Sequence, residues 1–538
     1  MKLRFAIRTT ITLSIVLLCL GIGMYSFLRL NAYDEHRDFN LYTLVPQDAI
    51  AVLETDCMVD FVADVNALDH QDNQAFYDAD LFVLLKDYLH TFVNDVPHGL
   101  STQMNKMLFT FHSLTHSDSQ LFYCTLHPDD YKLIEAFIEK RCSSAFPSKI
   151  FDYNGEEIRI YPLQDDRFLA LYVTRDFLVA SYQKRLVEQV IDAYQNRCSL
   201  QDDATFTAIH GIKRAHSTTL YLRMEDVMFG ALPSKQNCSM NLGEWMELDL
   251  KIGSDAIYCS GVIHESDTLH PFIQAISAQQ AIPALEGNMI PASTTFYTSW
   301  GISSPEALFN LFSQVASDTI QADVVSQQND YLLNFLQMHA KHSLSVCQFQ
   351  ATATFTSQPC SILSIPLLDK KETERDLKEW ELSYWSEEYR AIRAELSLYA
   401  FSNSSAFRFY KIPFNRLWNQ FTASLSTGSE LYAICYAGAL LMAPDVRSLL
   451  AYVYEMEHRN TFATDCSYYE NLMGSLSVTD NYLMLIDLDA MLKSSMPTVN
   501  LLPQLFLRQK DFFRRFIIAV QLLSVDNSIY PNIVLLSK

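Results

Sequence analysis

The sequence predicts an α+β fold, two tandem copies of a module with antiparallel sheets and helices packed on one face, after one N-terminal transmembrane helix. Three observations lead there. Residues 9–28 form a charge-free apolar run, strand-like and helix-like segments interleave through the rest of the chain, and matched blocks recur in the same order in its two halves. At 538 residues the chain exceeds one typical core. With 49% hydrophobic and 19% charged residues it can bury enough surface to offset chain entropy.

Residues 9–28 read TTITLSIVLLCLGIGMYSFL. At the helical rise this run covers roughly 30 Å, the thickness of a hydrocarbon core. Ten of its positions are Leu, Ile, Val or Phe, which together favour insertion by roughly 3–6 kcal/mol. Lys2, Arg4 and Arg8 precede it, while Asp34, Glu35 and Asp38 follow soon after Arg29. The positive-inside rule then puts residues 1–8 in the cytoplasm and the bulk of the chain outside. In a bacterial cell that means an inner-membrane anchor with a periplasmic ectodomain. A cleaved signal peptide is the competing reading, but the run is long for one and no A-x-A-like site follows.

Beyond a polar stalk at 29–43, the recurrence sets the expected domains, a first repeat over 44–285 and a second over 286–538. LVPQDAIAVLETD (44–56) matches MIPASTTFYTSWGI (289–302), each leading into helical periodicity, from Asp60 and from Pro305. KMLFTFHSL and QLFYCTLH (106–114, 120–127) match SLSVCQFQATATF and CSILSIPL (343–355, 360–367), each followed by an amphipathic helix. IRIYPL (158–163) matches FRFYKIP (407–413), and 168–194 matches 431–456 as strand, tight turn, strand and helix. TTLYLRMEDVM (218–228) matches NYLMLIDLDAML (481–492), and two hairpins, 245–264 and 514–537, close the series. The second half carries an insertion at 383–401, read as a helix plus loop.

The net charge is −22. Without the four cations of the first thirty residues, 36 basic face 62 acidic residues, a balance of −26. Such a field repels phosphate backbones and anionic headgroups, so nucleic acid is excluded as a partner class. None of the eleven cysteines forms C-x-x-C. Cys124, Cys259 and Cys435 lie in apolar runs, where buried thiol is expected.

Chemistry-bearing patterns are sparse. His112 and His116 are four apart but on a strand and turn, where the helical zinc face does not form. His339 and His342, with Cys347 nearby, end a helix and could begin a metal site; a structural role at the helix C-terminus is the simpler reading. MGSLS (473–477) lacks the second Gly of a nucleophile elbow, and no phosphate-cradling glycine motif occurs. The carboxylate pairs are Asp165–Asp166, in a loop, and Glu225–Asp226 and Asp487–Asp489, each where a strand gives way to a helix. Capping explains the last two; a glycosidase-like acid/base pair is the sharper alternative. Trp300, Trp380 and Trp385 are assigned to packing, with a ligand groove as the alternative. The sequons at Asn237 and Asn403 do not single out a eukaryotic type II protein. No catalytic, cofactor-binding or metal residue is assigned, and no cofactor is expected.

LVPQDAIAVLETD, shortly after an N-terminal anchor, resembles an uncharacterised bacterial envelope family, a domain of unknown function with an early Leu-Val-Pro-x-Asp-type strand and strand-rich modules. The second half departs from it, with MIPASTT lacking the Asp. The resemblance implies location and architecture and supplies no catalytic residues. The expected function is a membrane-anchored, periplasmic-side binding or scaffolding module. Its partners would be the inner membrane through residues 9–28 and an envelope protein or component. The alternative is an anchored hydrolase whose site is dispersed in sequence.

Overall fold

The structure is a computed structural model that describes residues 39–56, 60–61, 63–65, 106–113, 119–126, 148–162, 168–210, 218–224, 244–264, 271–283, 287–308, 310, 331, 333–351, 359–385, 388–402, 407–412, 431–493, 510–526 and 528–538. The candidate membrane segment 9–28 lies outside these residues. Among them, no helix is long and apolar enough to cross a membrane. The chain divides into two compact units, one of Met1–Val62 with Ala79–His216, the other of Ala63–Asp78 with Ser217–Lys538.

In the first unit the strands are β1 (Ala51–Thr55), β2 (Met107–Phe111), β3 (Gln120–Thr125), β4 (Lys149–Tyr153), β5 (Glu156–Pro162), β6 (Phe168–Val173) and β7 (Phe177–Ser181). They pair antiparallel in the order β4-β5-β6-β7-β3-β2-β1. The β4–β5 hairpin turns at Asn154 and Gly155, both at positive φ (50° and 83°). An Asn-Gly pair fits such a turn because Gly has no Cβ to clash and Asn tolerates the left-handed region. Helix α1 (Lys184–Asn196) buries Leu186, Val187, Val190 and Ile191, an i, i+1, i+4, i+5 stripe facing the sheet. Helix α2 (Ala204–His210) closes the unit. Leu41 and Tyr42, at the end of the segment read as stalk, are fully buried in a short 3-10 turn.

The second unit holds β8 (Thr218–Arg223), β9 (Trp245–Ile252), β10 (Ala256–His264), β11 (Ile282–Pro283), β12 (Thr294–Gly301), β13 (Ser343–Gln350), β14 (Pro359–Pro366), β15 (Tyr410–Ile412), β16 (Leu431–Tyr436), β17 (Ala439–Ala443), β18 (Thr479–Asp480), β19 (Tyr482–Asp487), β20 (Phe516–Val525) and β21 (Ser528–Ser537). Twelve of them pair antiparallel as β8-β9-β10-β21-β20-β19-β12-β13-β14-β17-β16-β15. β11 and β18 form a separate two-stranded ribbon. Helices α3 (Lys370–Tyr384), α4 (Tyr389–Ser402) and α5 (Val446–Glu457) accompany the sheet. Each of α3 and α5 begins on an aspartate, Asp369 accepting from Lys371 N and Glu372 N and Asp445 from Ser448 N.

The expected α+β class does not hold. Nineteen described strands go into antiparallel sheet and the described helices are few, so the chain is not a pair of helix-layered α+β modules. What recurs is a pairing order, β5-β6-β7-β3-β2-β1 in one unit and β15-β16-β17-β14-β13-β12 in the other. The physical reason lies in burial. Every residue of β7, β12 and β17 is buried, so these strands are covered on both faces. Strands buried along their whole length carry no alternation that separates a helix-covered face from a solvent face.

Gly261 of β10 tests the close packing of this sheet. A Cβ built there would sit 1.8 Å from the Glu247 carbonyl oxygen on β9. Gly261→Ala is therefore expected to destabilise the chain by about 2–4 kcal/mol in denaturant unfolding. A loss below about 0.5 kcal/mol would contradict this packing.

Candidate functional site

Most sequence-nominated residues prove to have structural work. Asp487 Oδ1 accepts from Ala490 N at 2.9 Å, capping the helix Leu488–Lys493, and also meets Lys538 Nζ. Asp489 pairs with Lys493 at 2.7 Å within that helix. Ser475 bonds back to Asn471 O, so the hydroxyl of MGSLS closes a helix end. Trp300 is buried in the core, edge-on to Tyr482 at 4.6 Å and to Phe272 at 6.0 Å. Trp380 stacks on Tyr331 at 4.5 Å, and Trp385 donates from Nε1 to Lys411 O. His112 bonds Asp48 and Thr110, both at 2.9 Å. His116, Asp165, Asp166, Glu225, Asp226, Asn237 and Asn403 lie outside the described residues.

Around the insertion, the fully buried Glu381 accepts from Lys411 N and lies 3.6 Å from Arg393 Nη1. Its carboxyl is held above the usual range by burial, a rise opposed by the Lys411 N–H and by Arg393. Arg393 also donates to Phe409 O, so α3, α4 and β15 are tied at one point.

The histidines divide. Cys347 sits on β13 beside Thr294 Oγ1 at 3.3 Å, and burial pushes its thiol up to about 12. A zinc ligand would have to be thiolate. Among the described residues no three His, Cys, Asp or Glu side chains are grouped to hold a metal ion. His339, in contrast, meets two partners that sequence reasoning missed. Its Nε2 lies 3.0 Å from Asp376 Oδ2, and its Nδ1 lies 3.2 Å from Thr373 Oγ1. Both partners are on α3, one turn apart, and the imidazole is 4% exposed. The spacing of Thr373 four residues beyond the Asp369 cap was the available signal.

This Thr–His–Asp grouping has the composition of a nucleophile, base and orienting acid. Its hydrogen bonds run the wrong way. Thr373 Oγ1 donates its one hydrogen to Asp369 O at 2.7 Å, so that hydrogen is not directed at His339. The imidazole sits between Thr373 and the Asp376 carboxylate, and a threonine hydrogen held by a backbone carbonyl is not the one a base withdraws from a nucleophile. Thr373 is also fully buried. The arrangement fastens the chain before β13 to the first turns of α3.

A second buried cluster surrounds Asp480 on β18. Asp480 Oδ2 accepts from Gln521 Nε2 at 2.9 Å, whereas Oδ1 is buried without a partner among the described residues. Gln521 also donates to Ser477 O and accepts from Ser477 N and Asn532 Nδ2. The next residue, Asn481, donates to Gln279 O at 2.7 Å and accepts from Ser524 N. The cluster thus joins the ribbon strand β18 to β20 and β21. Burial raises the Asp480 carboxyl to about 6, with the Gln521 amide opposing part of the rise.

The first unit has its own buried carboxylate. Tyr42 donates to Glu54 Oε2 at 2.8 Å, and His210 Nε2 lies 3.4 Å from the same oxygen. Tyr42 packs on His210 and Phe206 with ring centroids 4.2 and 5.2 Å apart. Asn40 donates to Gln201, and Leu200 N donates to Val45 O, so residues 40–45 are locked into this unit. Of the cysteines, Cys124, Cys259, Cys347, Cys360 and Cys435 are buried free thiols, and Cys198 is exposed.

No family model matches the chain, and no curated protein matches it. Among solved structures it is similar to crystal form I of TP0453, with 10% identity, 46% of this chain and 88% of that chain covered, and a TM-score of 0.25. At that score nothing is read across to this chain.

Two expectations follow. Because the folded-state value of Asp480 is raised, its stabilising effect is present below the unfolded value near 4 and is lost as pH rises through about 6. Asp480→Asn should then be more stable than the parent by roughly 2–3 kcal/mol at pH 8 in urea unfolding, with the gap closing towards pH 4. A gap independent of pH would contradict the buried carboxyl. His339→Ala should cost about 2–4 kcal/mol, because it strips a hydrogen-bond partner from Thr373 and from Asp376. An unchanged urea midpoint would show the grouping to be idle.

Proposed function

We propose that the chain is a membrane-anchored, periplasmic-side binding or scaffolding module, held in the inner membrane by residues 9–28. The observation that carries this reading is the charge-free run flanked by Lys2, Arg4 and Arg8 on one side and by acidic residues on the other. The packed start of the first unit supports it. Phe39, Leu41 and Tyr42 dock onto that unit, so only residues 29–38 intervene between the run and folded protein. The hydrolase alternative draws on the Thr373–His339–Asp376 grouping, whose threonine is fully buried and donates to the Asp369 backbone carbonyl. The envelope resemblance at 44–56 agrees with the proposed location.

In-cell crosslinking of the full chain, membrane isolation and mass spectrometry of what co-purifies test the reading. The chain should stay with the membrane through alkaline carbonate extraction and crosslink reproducibly to an envelope protein or component. Recovery in the soluble fraction, or hydrolytic activity abolished by Thr373→Val with the fold intact, would overturn it.

A further inference from the structure

The shortest piece of sheet among the described residues is the β11–β18 ribbon of the second unit. Each strand has two residues, paired as Ile282 with Asp480 and Pro283 with Thr479, and a proline has no N–H to give to a ladder. Two-stranded ribbons are marginal in water even when they are longer. Its surroundings are open: Gln280, Ala281 and Pro283 are exposed along one strand, and Ser477, Val478 and Thr479 along the other. Only Ile282, 6% exposed, and Asp480, fully buried, reach inward.

A polar cluster holds the ribbon to the main sheet. Gln521 of β20 grips Ser477 by its N–H and its carbonyl and donates to Asp480 Oδ2. Asn532 of β21 donates to Ser475 O at 3.1 Å. Beyond Asp480, Asn481 donates from its side chain to Gln279 O and from its backbone to Leu522 O, and accepts from Ser524 N. These bonds bind the ribbon through side-chain amides rather than through a continuous ladder.

The carboxyl is the weak member of that cluster. Its Oδ1 is buried without a hydrogen-bond partner among the described residues, and no cation among them acts on it. From β20 it meets the neutral Gln521 amide, and from β11 it is paired with Ile282. The titratable group in range on β12 is the phenol of Tyr297, which burial keeps protonated. A neutral carboxylic acid can be stored in such a place, whereas a carboxylate with no counter-charge carries a large desolvation cost. Opening the ribbon returns that carboxylate to water.

We propose that Asp480 makes the β11–β18 ribbon a pH-operated latch, shut while the carboxyl is protonated and released locally when it ionises, with the main sheet left intact. Burial raises the carboxyl to about 6 in the closed ribbon, against an ordinary value near 4 once open. The hold is therefore complete below about pH 4 and is lost as pH rises through about 6. Local release is the expected response because β12 and β19 are each paired on both sides, while the ribbon pairs only within itself. Release uncovers Gln521 and Asn481, each 1% exposed when the latch is shut, so a strip of amide donors and acceptors becomes available as pH rises.

Hydrogen exchange read residue by residue tests the latch, on the full chain in detergent micelles at pH 4 and pH 7. Labelling times are scaled for the intrinsic exchange rates. Protection at the Ser477 and Ser524 amides, both held by side chains of the cluster, should fall by about fiftyfold between the two conditions. Amides of the β16–β17 hairpin should keep their protection, and Asp480→Asn protein should show no fall at the ribbon. Equal loss in ribbon and hairpin overturns the latch in favour of destabilisation of the whole unit. Constant protection at Ser477 in the parent, or a fall that persists in Asp480→Asn, overturns it outright. Should the Asn variant not fold, the parent's contrast between ribbon and hairpin decides alone.

Discussion

The second unit depends on one constraint: β12 has no exposed residue, so each of its backbone groups must be satisfied by strands on both sides. β13 supplies one side as a sequence neighbour. β19 supplies the other from far along the chain, pairing Phe296 with Ile486 through to Trp300 with Tyr482. Trp300 and Tyr482 meet edge to face at this junction, where large rings bury much apolar surface. β14 and β17 extend the sheet on one side of it, β20 and β21 on the other. Forming the β12–β19 pair closes a long loop, so local hairpins are favoured to precede it.

Polar groups inside this sheet-rich fold act as fasteners. Glu381, His339 and Asp480 each tie an element that the main ladder does not hold, respectively α4 with β15, the start of α3, and the β18 ribbon. Buried polar groups that find partners specify one arrangement, and those left short of a partner exact a penalty that varies with protonation. Asp480 is the second kind, one oxygen bonded and the other without a partner among the described residues. Such a group resembles a catalytic carboxyl in its shifted titration alone, while its partners, Gln521 and the Ser477 backbone, are those of a strut.

Local signals were legible where chemistry is local. Asp487 caps its helix, and 168–194 and 431–456 each form strand, turn, strand and helix. The layer architecture was not, because β7, β12 and β17 are buried along their whole length and give no alternation from which to read what covers each face. Nor was the Thr373–His339–Asp376 grouping, whose members come together only when α3 packs beside the segment before β13. Its nearest sequence sign, a threonine one turn after a capping aspartate, is too common to point to a histidine more than thirty residues earlier.

The central claim is that the folded chain lies outside the membrane from which residues 9–28 suspend it. Cys198 offers a direct probe, an exposed thiol in the first unit while Cys124, Cys259, Cys347, Cys360 and Cys435 are buried. Intact spheroplasts carrying the full chain are treated with a membrane-impermeant maleimide, with Cys198→Ser protein as the control. Labelling at Cys198 without lysis, in protein that carbonate does not extract, is the expected result. Labelling that requires lysis would place the first unit in the cytoplasm and contradict the claim.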